Sequence, residues 1–280
     1  TPRLAYCELE QINRTTRHGD ITVSFYIGKP HTKQAQNTPI ILIPSFGRPA
    51  SDFNELVIGL NAAGYTTYAL EPRGMLDNTG LVTDDITLFD FADDVAAVTT
   101  HLAATPNHGG ARVVLIGHAF GNRVARANAT KYPDSVEKVI LIASGGVAPL
   151  TPEAEMALIH SFWIFKPDSW RRHRVKYAFF AKNNNVPDDW MIGWNIPTSL
   201  TQASAIAKTP PDQWQQAGGK PLFIIQGRED TLAPPETSGI KLKEEFGDRV
   251  SLVTLENAGH ALLPEQPELI EASVLSFLKQ

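Results

Sequence analysis

The chain alternates short, wholly apolar runs with longer segments in which apolar residues recur at helical spacing. "PIILIP" (Pro39–Pro44) is continuously apolar, as a strand buried on both faces is. "SDFNELVIGLNAAGY" follows with a helical period, a cap-like Ser51/Asp52 at its start and a stop at Gly64. "TTYALEPRG" then predicts a strand ending in a loop, "LFDFADDVAAVTTHLAA" an amphipathic helix, and "RVVLIG" a strand leading into another helix. "VEKVILIASGG", "KPLFIIQG" and "VSLVTLEN" predict further strands, and "DITVSFYI" (from Asp20) alternates with period two, as a half-exposed strand does. Strands separated by helices predict an α/β fold: a mostly parallel, doubly wound sheet with its sites at the carboxyl ends of the strands.

The rhythm breaks between Leu150 and about Gln216. That segment shows no convincing buried strand, yet it holds all five tryptophans and ten of the chain's 24 aromatic residues. The expected organisation is a core of residues 1–149 and 217–280 carrying a helical lid, residues 150–216. A helical insertion that buries its aromatics as its own small core is the plainer reading. A lid whose aromatics line an apolar substrate pocket is the sharper one, with Trp163, Trp190 and Trp194 as the lining candidates. The run "WRRHRVKY" (Trp170–Tyr177) reads first as a solvated basic helix face and second as a site for an anion.

Composition narrows the function classes. The 25 basic and 30 acidic residues give a net charge of −5, and no basic block appears, so nothing points to nucleic acid. A single cysteine, Cys7, excludes an intrachain disulfide. No apolar run reaches the length of a membrane span. No H-E-x-x-H, clustered Cys or spaced His pair suggests a metal, and no cofactor is implied. The expectation is a soluble monomer or homodimer acting on a small molecule. It is cytoplasmic or, after processing ahead of Thr1, secreted or periplasmic.

The chemistry gathers around "GHAFG" (Gly117–Gly121), a tight glycine turn between a β-branched strand and a helix. This is the strand–turn–helix setting of a nucleophile elbow G-x-S-x-G, but with Ala119 at its centre. "LIPSFG" (Leu42–Gly47) precedes it and "EPRG" (Glu71–Gly74) ends the next strand. "IIQGREDTLAPP" carries Asp230, and "LENAGHALLPEQP" carries His260. Over nearly the whole chain this order resembles the α/β-hydrolase superfamily, its lid-bearing esterase and lactonase branch in particular.

The resemblance implies a sheet of about eight strands and a nucleophile–acid–histidine triad at positions 119, 230 and 260. The amides of Phe46 and Phe120 would form the oxyanion hole at a helix N-terminus. His260 would move protons while Asp230 holds its tautomer. Asp230 is preferred to its neighbour Glu229 by the spacing G-x-x-D from Gly227. His118 is expected to be structural, beneath the site, and Arg73 to anchor its own loop.

Alanine cannot attack a carbonyl, and three readings of Ala119 stand open. In the first it replaces a serine, leaving a chain that is inactive or strongly impaired; "PSFG" departs from the H-G-x-P loop of the branches with an aspartate nucleophile. In the second it is native to an enzyme in which the His260–Asp230 pair acts as a general base on water or on an acidic substrate. That chemistry covers water-mediated hydrolysis, a lyase or a cofactor-free oxygenase. In the third the fold serves a ligand receptor without catalysis. Losing a serine nucleophile costs on the order of 10⁶ in kcat, leaving about 10³ over water, so a native alanine enzyme is restricted to activated or acidic substrates.

Overall fold

The computed structural model describes residues 3–32, 35–105, 110, 112–145 and 148–280. Gly146, at the end of the run "VEKVILIASGG", lies outside them. Eight strands form one sheet: β1 (Glu8–Thr16), β2 (Gly19–Gly28), β3 (Ile40–Ile43), β4 (Thr67–Leu70), β5 (Val113–His118), β6 (Val136–Ile142), β7 (Leu222–Gly227) and β8 (Val250–Leu255). Their spatial order is β1-β2-β4-β3-β5-β6-β7-β8. The strands from β4 to β8 run parallel; β2 is antiparallel to β1 and to β4.

The central strands are apolar on both faces because helices cover both. Ile41, Ile43, Leu115 and Leu141 join one core with α2 (Leu88–Ala103), α3 (Phe120–Lys131) and Leu242 of α7 (Gly239–Phe246). Their neighbours Ile40, Leu42, Ile116 and Ile142 join the other, with α1 (Asn54–Ala62) and α8 (Pro267–Leu278). The two-residue alternation of a strand divides each apolar run between the two cores.

One element was not anticipated and one local expectation is revised. The polar run "ELEQINRTT" forms β1, an edge strand whose side chains are alternately exposed and half-buried; with so little apolar surface it carries no core signal. Ser51 and Asp52 do not cap α1, which starts at Asn54 after a short 3₁₀ turn. Asp52 is instead paired through both carboxylate oxygens with Arg48, at 2.7 and 2.8 Å.

Between β6 and β7 lie α4 (Pro152–Ser161), α5 (Asp168–Phe179) and α6 (Ile196–Lys208). Phe162, Phe179, Phe180, Trp190 and Trp194 gather there into a third core together with Ala261. Trp214 belongs elsewhere: it is buried in the sheet core, beneath the guanidinium of Arg126 at 4.4 Å.

Candidate functional site

Parallel pairing of β3 with β5 sets Ile43 beside Gly117, so the loop Pro44–Gly47 and the elbow leave the sheet together. The elbow is compressed. A Cβ on Gly117 would lie 2.5 Å from the Cα of Asn122, and one on Gly121 would lie 2.8 Å from the carbonyl oxygen of Pro44. Ala119, between them, has φ 49° and ψ −105°. A non-glycine residue held there costs on the order of 1–3 kcal/mol and persists only where its surroundings enforce it. Its own amide is held by the Ile142 carbonyl at 3.0 Å. Among the described residues, the amides of Phe46 and of Phe120, the first residue of α3, engage no acceptor.

His260 follows β8 and Asp230 follows β7, and the structure brings the two together. His260 Nδ1 lies 2.8 and 3.0 Å from the carboxylate oxygens of Asp230. Asp230 is buried and accepts three further hydrogen bonds: from the amides of Leu232 and Ala233 and from Gln226 Nε2, at 2.9, 2.7 and 3.1 Å. An acceptor-only partner places the proton on Nδ1, which leaves Nε2 free to accept one. Glu229 is turned elsewhere, its carboxylate accepting from the amide of Lys182 at 2.9 Å.

Two residues near this pair carry more than their sequence context signals. His118 is fully buried, and its Nε2–H donates to the backbone carbonyl of His260 at 2.9 Å. Burial first, and then the His260 ring, push its pKa down to about 4, so it is neutral around pH 7. Glu265 accepts from the amides of Ala181, Gly259 and Leu262 and from Asn184 Nδ2, tying the His260 loop to the segment after α5. Burial raises its pKa against those bonds.

An aromatic wall stands beside His260. The ring of Phe179 lies 5.7 Å from that of His260 and 5.2 Å from that of Trp194; Phe162 bridges Trp194 and Phe46 at 5.0 and 5.6 Å. Ala119 and His260 are only 8% and 7% exposed. Trp190 and Trp194 flank the buried guanidinium of Arg48, at 4.4 and 4.8 Å. Trp163 stands apart from this wall, stacked on Trp170 at 5.8 Å and half-buried.

The loop Pro44–Gly47 is fastened to the same segment. Gly47 N–H donates to Gln202 Oε1 at 2.7 Å, the Gly47 carbonyl accepts from the Asn195 amide at 3.0 Å, and Arg48 donates to the Ile192 carbonyl at 2.6 Å. Behind the loop, a cavity of about 40 Å³ is lined by Pro44, Glu71, Asn78, Phe120 and Gln202. Arg73 holds Asp94 through two bonds of 2.6 and 2.9 Å. The basic run of α5 is not a uniform solvated face: Arg171 is buried, donating to the Ser161 and Met191 carbonyls.

Relatives share this architecture. The chain is 25% identical over 267 residues to the bifunctional esterase/perhydrolase DCH of Acinetobacter calcoaceticus, covering 87% of this chain and 93% of that protein. It is 24% identical over 206 residues to protein ABHD8 of Mus musculus, covering 69% of this chain; the match spans only 44% of that longer relative. Among solved structures, a thermophilic esterase from Thermogutta terrifontis superimposes with TM-score 0.74 at 21% identity, over 96% of this chain and 98% of that one. A bromoperoxidase from Bacillus anthracis does so with TM-score 0.75 at 18% identity, over 97% and 100%. The family model of the alpha/beta hydrolase family matches residues 40–272, most of the chain, and the eight-stranded sheet is that of its structural neighbours. The protein belongs to the α/β hydrolase family.

Proposed function

We propose that the site of this hydrolase-family chain is built for the carbonyl of a small or medium apolar ester or lactone, that position 119 is where a covalent nucleophile stands in a working triad, and that with Ala119 there the chain is inactive or strongly impaired. The observation that carries this reading is the backbone of Ala119. A strained φ 49°, ψ −105° serves no purpose for a methyl group, but it is what lifts a side chain off the sheet toward a base. With an Oγ there, His260 Nε2 takes the hydroxyl proton as the oxygen bonds to the carbonyl carbon. The amides of Phe46 and Phe120 receive the oxyanion, and the proton passes on to the leaving alkoxide. Residues 150–216 act as the lid, with Trp190, Trp194, Phe162 and Phe179 supplying the apolar lining. In this chain the attacking atom is missing.

A second reading is favoured by the free Nε2 face of His260, since Nδ1 alone is engaged. There Ala119 is part of the working enzyme, and His260 draws a proton from water or from an acidic substrate with no covalent step.

One pair of variants decides. Ala119→Ser and His260→Ala are assayed on the same panel of short nitrophenyl esters and lactones, with a serine-directed phosphonate as label. A rise of several orders of magnitude with serine, and phosphonate on residue 119, is the expected result. Turnover by the unaltered chain that is lost in His260→Ala yet indifferent to Ala119→Ser establishes the second reading instead.

A further inference from the structure

The turn joining α4 to α5 faces outward, away from the aromatic wall. Phe165 at its tip is 71% exposed and Ile164 51%, with Met156 and Ile159 of α4 also about half exposed. These are not scattered apolar residues. Trp163 stacks on Phe165 at 5.8 Å and on Trp170 at 5.8 Å with near-parallel planes, and the His160 ring lies against both tryptophans at 4.3 and 5.3 Å. The result is a rigid platform of rings at the outer edge of the fold.

Its charge is one-sided. Lys166 Nζ and the Arg174 guanidinium both lie over the Trp170 ring, at 6.0 and 5.2 Å. Neither has a carboxylate partner among the described residues, whereas the turn's acid, Asp168, is taken up by Arg171 at 3.0 Å. Arg171 is paired with Asp168 and Arg172 with Asp188, which leaves Lys166 and Arg174 as the cations over the Trp170 ring that no carboxylate among the described residues neutralises.

We propose that this turn is a docking surface for an anionic lipid layer. Ile164 and Phe165 enter the boundary between head groups and acyl chains, Trp163 and Trp170 sit at head-group depth, and Lys166 and Arg174 meet lipid phosphates. Indole rings and snorkelling cations are the side chains that gain most at such an interface, being apolar along the stem and polar at the tip. Charge complementarity selects lipid over a second copy of the chain. Lys166 and Arg174 need anionic partners, which a layer of lipid phosphates supplies, and light scattering tests a second copy as the alternative. The site does not depend on what position 119 does.

The test is flotation of the full chain with vesicles of phosphatidylcholine alone and of phosphatidylcholine with about a third phosphatidylglycerol, at low and high salt. Binding to the anionic vesicles, weakened by salt, is expected. Ile164→Asp/Phe165→Asp, at exposed positions that leave the fold intact, should lower partitioning at least tenfold. Lys166→Gln and Arg174→Gln should each lower it about fivefold on anionic vesicles and change little on neutral ones. Thermal unfolding of each variant at the parent's temperature separates lost docking from lost structure. Three results overturn the proposal: no flotation with either vesicle, equal flotation with both, or a dimer in light scattering that Phe165→Asp dissolves.

Discussion

Glu71 should make this protein lose stability as the pH rises across the neutral range. Its side chain is 2% exposed, with Oε2 accepting from the Ala50 amide at 3.3 Å and Oε1 without a partner in the cavity behind the Pro44–Gly47 loop. Desolvation, opposed by the Ala50 bond and reinforced by the nearby Asp52 carboxylate, pushes its pKa from the ordinary 4.5 to about 8. A carboxyl whose folded value is raised binds more protons folded than unfolded. Its contribution is therefore complete below about pH 4.5 and is lost as the pH climbs through about 8. Between pH 5 and pH 8 the loss is on the order of 3–4 kcal/mol, a large share of a domain's stability. Glu71→Gln keeps an acceptor for Ala50 and has nothing to ionise. Urea unfolding of both proteins at pH 5, 6, 7 and 8 isolates the effect, because every other titrating group is common to them. The stability gap should open steadily in favour of Glu71→Gln, and a gap equal at pH 5 and pH 8 would refute the reasoning.

Two further perturbations address the frame of the site. Gly121→Ala drives a Cβ against the Ile43 and Pro44 carbonyls, which cannot rotate away; a loss of at least about 3 kcal/mol in urea unfolding is expected, and one under about 0.5 would show that the turn yields. Glu265→Ala leaves the amides of Ala181, Gly259 and Leu262 without their acceptor, so about 2–4 kcal/mol should be lost and the amides of Gly259 and Leu262 should exchange faster. Unchanged exchange at those amides would remove Glu265 from the support of the His260 loop.

The central parallel strands were legible because β3, β4, β5 and β7 are buried on both faces, which a continuous apolar run such as "PIILIP" records directly. β1 was not, since an edge strand needs only one partner and can be polar along its length. Asp230 and His260 were singled out by the family resemblance of the motifs that carry them, and the structure sets them together because they follow the adjacent parallel strands β7 and β8. Glu265 could not: an acid in a loop reads as surface, and only the four converging donors around it show otherwise. The tryptophans show a similar limit. Nothing local separates Trp163 from Trp190 and Trp194; the difference arises from what meets them, Trp170 and His160 in one case and Arg48 in the other.

The attachment of Gly47 and Arg48 to Asn195, Gln202, Ile192 and two tryptophans bears on how such a protein diversifies. A covering segment that only roofed the sheet could be exchanged between relatives as a cassette, changing what is admitted and leaving the scaffold beneath it alone. Here the same residues that would select a ligand also hold the loop bearing the Phe46 amide. A transplanted segment would arrive without its anchor points, and the loop beneath would relax. On the proposed roles of that segment and of the Phe46 amide, selectivity and reactivity would be inherited together, and a lineage altering one would have to revise the other in step.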